Sequence, residues 1–364
     1  MEPVTVGVIG CGNISDAYFA ADETFDVIDI VACADIDLDR AEQKAAQHDI
    51  PKGCAPEELL ADPEIEVVIN ITPPAVHVEV CLQILEAGKH AYVEKPFGIS
   101  TAEARAVLET ARENDLLVGA APDTFLGAGL QTCRSVIESG RIGEPIGATA
   151  IWTSPGHESW HPNPEIFYGT GGGPMFDMGP YYLTALVFLL GPVVRVAGST
   201  TAGFAERTIT AESRRGETFD VEVPTHESGV LTFESGQVAT VTTSYDVQGS
   251  TFPFPAFEIY GTEGSLSIPD PNHFEGPVRV RERGEETFEE IPLTHEYTDG
   301  RGAGVADMAY AIRSDWEQRA SGALGYHVLE IMEGVRNSSE GSEYVELDAE
   351  LEQPAPLPPE FPDV

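Results

Sequence analysis

The stretch PGHESWHPNP (155–164) contains His157-Glu158-x-x-His161, the H-E-x-x-H pattern of zinc metalloproteases. That chemistry needs a helix, where two histidines four apart share a face, bind one zinc and leave the Glu as general base. Here Pro155-Gly156 precedes the pattern, and Pro162 and Pro164 follow it. Pro162 disfavours helical backbone at His161, and five residues between breakers do not nucleate a helix. No third histidine stands at the extended zincin spacing. No metal site is expected. Two readings remain: a surface loop with unrelated histidines, or a polar, aromatic loop lining a pocket. Three further residues have types suited to catalysis: Lys95 in Glu94-Lys95-Pro96, and Asp177 and Tyr181, four apart at the head of the apolar run MFDMGPYYLTALVFLL (175–190).

The elements that would position such groups begin at the N-terminus. Residues 4–9 are an apolar run of strand type. Gly10-Cys11-Gly12-Asn13-Ile14-Ser15 follows, then a helical stretch to about Ala21 and a second strand, 28–34, ending in Asp35. This order is the dinucleotide fingerprint. Gly10 permits the tight turn and Gly12 lets the backbone approach a pyrophosphate. The amides at the helix start, Asn13 and Ile14, receive the phosphates. Ser15 replaces the third glycine, where a small residue suffices. Asp35 lies 20 residues after Ser15, the spacing of a carboxylate that binds the adenosine 2′-OH and repels a 2′-phosphate. Ile36 rather than Arg follows, so NAD is expected over NADP.

Strand and helix alternate to about residue 121, with helices over 39–48, 76–87 and 101–114 and strands over 66–71, 90–93 and 116–120. The pattern predicts a doubly wound parallel sheet, an NAD-binding Rossmann domain over 1–122. Ligands of such sheets sit beyond the carboxyl ends of the strands. NITPPAVH (70–77) and YVEKPFG (92–98) fall there, adding Thr72, Pro73, His77, Glu94 and Lys95 to the expected cofactor contacts. Pro96 biases Lys95 to extended backbone, aiming its ammonium at the cofactor cleft. The chain holds four lysines against sixteen arginines, so this lysine is read as functional rather than as a solvated charge. Asp177 and Tyr181 share a face if their run is helical from its start. Gly179-Pro180 also fits a helix beginning there. The structural alternatives are a helix cap for Asp177 and a core aromatic for Tyr181.

These segments, with RSVIESGRIGEP (134–145) and GGGPMFDMGPYYLTAL (171–186), resemble the glucose-fructose oxidoreductase / inositol dehydrogenase (Gfo/Idh/MocA) family over most of residues 4–192. The resemblance implies a C-terminal α/β domain, placed at 123–348, with a large, mostly antiparallel sheet. That sheet often makes dimer and tetramer contacts in the family, so a homodimer or homotetramer is expected. It implies hydride transfer between NAD(P) and a carbinol of a sugar, polyol or cyclitol, with Lys95 and Asp177 lining the substrate site. The family's His, four residues after the Asp, is Tyr181 here.

Removing a hydride from a carbinol also removes the hydroxyl proton, so a base is required. Tyr181 is the first choice, with Lys95 as the cation that a phenol needs to act near neutral pH and Asp177 orienting hydroxyls. His157 or His161 is the second. In their loop Trp160 is suited to stack on a sugar, and His157, Glu158, His161 and Asn163 to bond hydroxyls. The departure at Tyr181 leaves two other outcomes open: an NAD-assisted glycosidase acting through a transient ketone, and a ligand-sensing regulator without turnover.

Asp and Glu number 61 against 20 Lys and Arg, a net charge of −41. Such a charge repels itself in dilute buffer, and at 1 M salt the screening length falls to about 3 Å. A halophilic protein is expected. No basic patch exists for nucleic acid. No signal segment or membrane-length apolar run is seen, so a soluble, cytoplasmic protein is expected. The five cysteines lack C-x-x-C spacing and read as buried thiols. Residues 192–295 alternate strand-like runs with turns, two helices follow, and a proline-rich extended tail closes the chain over 349–364.

Overall fold

The structure is a computed structural model that describes residues 1–252, 254–348 and 351–362. Its contacts divide the chain into two units. The first holds Met1–Gly127, Tyr297–Leu329 and 354–362; the second holds Ala128–Glu296, 330–348 and 351–353.

The first unit opens with β1 (Val4–Ile9), α1 (Ser15–Phe19), β2 (Ile28–Ala34), α2 (Leu38–Gln47), β3 (Lys52–Cys54), α3 (Pro56–Leu60), β4 (Val67–Asn70), α4 (His77–Glu86), β5 (His90–Val93), α5 (Thr101–Glu113) and β6 (Val118–Ala120). The six strands form one parallel sheet in the order β3-β2-β1-β4-β5-β6. Every residue of β4 is buried, as expected of a strand covered on both faces. The amphipathic α2 starts at Asp37, whose carboxylate caps the Arg40 amide, and buries Ala41 and Ala45, one turn apart. The strand order reverses between β1 and β4, the switch point at which such sheets bind ligands.

The second unit contains α6 (Ala128–Glu138), β7 (Pro145–Thr153), α7 (Pro174–Asp177), α8 (Gly179–Leu190), β8 (Val193–Thr201), β9 (Glu206–Thr208), β10 (Thr218–Asp220), β11 (His226–Phe233), β12 (Val238–Ser244), β13 (Ala256–Gly261), β14 (Gly264–Ser267), β15 (Val278–Glu282) and β16 (Glu289–Ile291). The chain then forms α9 (Ala303–Arg313) in the first unit. It continues through α10 (Gly322–Gly341), which starts in the first unit and ends in the second, to β17 (Val345–Glu346). The nine-stranded sheet runs β16-β15-β14-β13-β7-β12-β11-β8-β17, and only the β7–β12 pairing is parallel among the described residues. Every residue of α8 is buried, so this helix is the unit's apolar centre.

These units differ from the expected boundaries of 1–122, 123–348 and 349–364. Chain order does not govern what covers a sheet. The edge strand β6 is extended by a bridge from Gly119 to Ser321 and by the Ala120 amide donating to the Ala320 carbonyl at 3.0 Å, which closes an otherwise open edge. Buried Asp123 accepts the Gly302 and Gly304 amides at the start of α9, at 2.9 and 3.2 Å. The described part of the tail lacks helix and strand, yet it is packed. Leu357 and Phe361 are buried, and the Phe361 ring lies 5.9 Å from Phe25 and 5.8 Å from Tyr297. Positions 349, 350, 363 and 364 of the expected tail lie outside the described residues.

Candidate active site

The glycine loop is built as its residue types require. Gly10 has φ +109° and donates to the Ala34 carbonyl at 2.8 Å; a Cβ there would stand 2.8 Å from the Ile71 carbonyl oxygen. A Cβ on Gly12 would meet nothing within 4 Å, so its backbone faces open space, as close approach of a pyrophosphate demands. Gly12, Asn13 and Ile14 are exposed, and no side chain caps the start of α1. The Ser15 and Ala17 amides donate to the Gly12 and Ile14 carbonyls at 3.2 and 3.1 Å, so an anion here would be met by the exposed loop backbone at Gly12–Ile14. Ser15 is buried and its hydroxyl donates to the Gly12 carbonyl at 2.7 Å, so it braces the loop instead of merely fitting.

Asp35 is buried at the end of β2 and accepts the Cys11 and Asp37 amides, each at 2.9 Å. Arg40, from the first turn of α2, places Nη1 3.4 Å from both carboxylate oxygens. The expectation of NAD rested on Asp35 and on the absence of an arginine at Ile36, which is 96% exposed. The Asp37 cap turns α2 so that Arg40 comes back over Asp35, a guanidinium that the neighbour in sequence did not reveal. The open Gly12 backbone, the uncapped α1 and the Asp35 carboxylate together fit a nicotinamide dinucleotide.

Lys95 follows β5 and is half-buried. Its amide donates to Glu94 Oε2 at 2.7 Å, while Glu94 Oε1 accepts the buried Tyr18 hydroxyl at 2.9 Å. Glu94, an expected cofactor contact, thus ties α1 to the Lys95 loop. Thr72 is half-buried, with its amide and hydroxyl both on Asn70 Oδ1, at 3.3 and 2.6 Å, and Pro73 is exposed. His77 differs from its expected place at the cofactor. It is 1% exposed, and both ring nitrogens face backbone carbonyls, because it opens α4 and turns back beneath the loops. Scarcity of lysine proves a weak argument for function. Lys44 pairs with Asp16, Lys52 with Glu58 at 3.0 Å, and buried Lys89 donates to the Ile65 carbonyl at 2.9 Å.

In the second unit the HESWH loop is a turn, with the His161 amide donating to the His157 carbonyl at 3.0 Å. Gly156 has φ +102°, and a Cβ there would collide with Glu158 and Tyr168. The loop brings His157 to Asp177: Nε2 lies 3.3 Å from Oδ2, and the Tyr245 hydroxyl donates to that same oxygen at 2.9 Å. Burial and the Asp177 carboxylate push the Tyr245 hydroxyl well above its usual pKa, so it remains a donor. Aromatic rings wall this cluster. The His157 ring lies 4.1 Å from Phe167, 4.7 Å from Tyr245 and 5.2 Å from Trp160, which is 62% exposed. His161 is half-buried, and its Nδ1 accepts the Asn163 amide at 3.0 Å.

Glu158 does not have the role foreseen for it. Glu158 is buried and pairs with Arg207 at 2.7 Å, while its carbonyl accepts the Thr210 and Ala211 amides. Asn163 Oδ1 accepts from Arg214 at 3.1 Å. Arg207 also holds Asp246 and donates to the Tyr245 carbonyl at 3.1 Å, so it fixes both sides of the cluster. Asp177 and Tyr181 do not share one unbroken helix: α7 ends at Asp177 and α8 begins at Gly179, since Pro180 has no amide to continue the ladder. Tyr181 is 6% exposed in the first turn of α8. The neighbouring Tyr182 ring lies 5.6 Å from Phe257 of β13. The reading of the residues missed Tyr245 and Arg207. Tyr245 lies in the stretch read only as strand-like runs alternating with turns, and nothing local pairs it with a residue 68 positions away.

A dinucleotide loop on a Rossmann sheet, with a large mixed sheet after it, defines a nicotinamide-dependent oxidoreductase. Residues 4–121 match the oxidoreductase family with NAD-binding Rossmann fold, and residues 130–267 match the GFO/IDH/MocA C-terminal domain. The chain belongs to the Gfo/Idh/MocA family. It is 28% identical over 270 residues to 1,5-anhydro-D-fructose reductase of Ensifer adhaerens, covering 71% of this chain and 74% of that protein. It is 29% identical over 333 residues to trans-1,2-dihydrobenzene-1,2-diol dehydrogenase of Homo sapiens, covering 90% and 91%. The solved structure of levoglucosan dehydrogenase in complex with NADH superposes with a TM-score of 0.81 at 19% identity over 95% of this chain and 99% of that one. At that identity the last likeness speaks for the fold.

Proposed function

We propose that the protein transfers a hydride between NAD and a carbinol of a sugar, polyol or cyclitol. The observation that carries this substrate class is the Asp177 carboxylate, held by Tyr245 and His157 within a wall of aromatic rings. Such a carboxylate accepts hydrogen bonds from hydroxyls, and the rings suit the apolar face of a sugar. Relatives named for anhydrofructose and for a benzene diol support it. NAD, when bound, supplies the nicotinamide ring that takes up or gives the hydride. Gly10, Gly12, Asn13, Ile14, Asp35, Thr72 and Pro73 would hold it, with Asp35 favouring NAD over NADP.

Tyr181 Oη is assigned the hydroxyl proton, Lys95 is required for it to act near neutral pH, and Asp177 orients the substrate hydroxyls with Trp160 and His161 at the rim. A second reading makes His157 the base, because its Nε2 faces Asp177. The family's sheet contacts support a homodimer or homotetramer, and the acidic composition supports a cytoplasm of molar salt. No described helix is long and apolar enough to cross a membrane.

The test is absorbance at 340 nm in molar KCl, with NAD or NADP offered against aldoses, uronates, polyols and inositols. A rise with one class and NAD is expected. Tyr181→Phe should then lower kcat by about 100-fold or more, the scale of a lost acid–base group. His157→Gln should cost less than about tenfold; the reverse ranking transfers the role of base to His157.

A further inference from the structure

We propose that His77 is a positioning residue for Lys95, acting through its Nδ1–H on the Pro96 carbonyl. This rests on the reading of Lys95 as catalytic. The loops after β4 and β5 leave adjacent parallel strands, with Asn70 beside Val93. His77 stands between them, 1% exposed, with Nδ1 2.7 Å from the Pro96 carbonyl and Nε2 2.7 Å from the Thr72 carbonyl. Carbonyls only accept, so each contact calls for a proton on the ring. An imidazolium donates along both arms, and a neutral ring protonated at Nδ1 keeps the Pro96 arm.

The two arms do not carry equal duty. Thr72 has its own anchor, since its amide and hydroxyl both reach Asn70 Oδ1, and the Asn70 amide nitrogen donates to the His77 carbonyl at 2.9 Å. The Pro96 arm reaches 19 positions along the chain. It fixes the residue after Lys95, while the residue before it, Glu94, is fixed by Tyr18. Lys95 is thereby gripped from both sides within its own unit. A half-buried ammonium whose task is to favour one proton position depends on a backbone that does not drift, since small misplacements of a catalytic group are costly.

Two variants separate the arms. His77→Asn places an amide donor where Nδ1 lies, and His77→Gln places it where Nε2 lies. The readouts are amide exchange of residues 97–99 and 71–72, the Kd for NADH by nicotinamide fluorescence, and kcat. Expected for His77→Gln is faster exchange at 97–99, an NADH Kd within about twofold of wild type and a kcat lower by about tenfold, the scale of one buried hydrogen bond. His77→Asn should keep exchange at 97–99 and kcat near wild type. Equal losses in both variants, or a His77→Gln protein indistinguishable from wild type, overturn the proposal. If the wild type turns over no sugar or polyol, the function proposed above fails, and the exchange contrast at 97–99 still decides whether the Nδ1 arm holds this loop.

Discussion

At the scale of single residues, Asp177 is the group whose surroundings say most. A buried tyrosine that cannot readily ionise donates to it, and a histidine stands on the same oxygen. Hydrogen bonds to a charged acceptor contribute about 1.5–3 kcal/mol. Tyr245→Phe should therefore lower kcat/KM by about tenfold or more, mostly through KM, while the fold persists because the ring packing remains. Steady-state kinetics with the substrate found in the 340 nm screen would show it, and an unchanged KM would remove Asp177 from substrate binding. Asp177 and Lys95 were singled out in the sequence by the motifs that carry the family resemblance, EKP and MFDMGP. Tyr245 was not, since its link to Asp177 exists only once β12 has paired with β7 and β11. Arg40 was missed for a related reason: a helix cap turned it toward Asp35, and only the residue next to Asp35 had been weighed.

At the scale of elements, two joints of the first unit carry measurable consequences. His90 at the head of β5 accepts the Leu117 amide through Nδ1 at 2.8 Å, and burial holds its pKa below the usual value. The neutral ring is thus favoured by folding. Its contribution is complete above about pH 6.5 and is lost as pH falls from there toward the folded value. His90→Asn keeps an acceptor and does not titrate. Thermal melts should show wild type losing more stability than His90→Asn between pH 7 and pH 5, and parallel curves would refute the assignment. The second joint is Phe361, buried against Phe25, Tyr297 and Tyr310. Phe361→Ala should cost about 3–5 kcal/mol, as emptying a packed aromatic site does, read from denaturant midpoints. The longer strands and helices of residues 4–120 were legible because apolar runs alternate with glycine and proline, whereas the short β3 and α3 over residues 52–60 were not foreseen. The central strand β7, PIGATAIWT, was not. Its glycine and alanines suit close pairing with β12 and β13 and give no strong strand pattern.

At the scale of the whole molecule, the charge of −41 sets the conditions under which every smaller effect is read. Self-repulsion is screened over about 10 Å in 0.1 M salt and about 3 Å in 1 M. The melting midpoint should rise by about 5 °C or more between 0.1 and 1 M KCl, equivalent to about 4 kcal/mol for a chain of this size. Choline chloride should act like KCl if screening is the cause, and a flat response would contradict the halophilic reading. The first unit is also discontinuous, since residues 297–329 and 354–362 complete what the first 127 begin. A ribosome delivers the chain from its N-terminus. The β6 edge of the Rossmann sheet therefore stays uncovered until Ala320 and Ser321 follow residues 128–296, and Phe25 waits for Phe361 until the entire second unit is made. An early stop at residue 353 would keep that edge covered and leave Phe25 and Tyr297 permanently without the ring that packs on both.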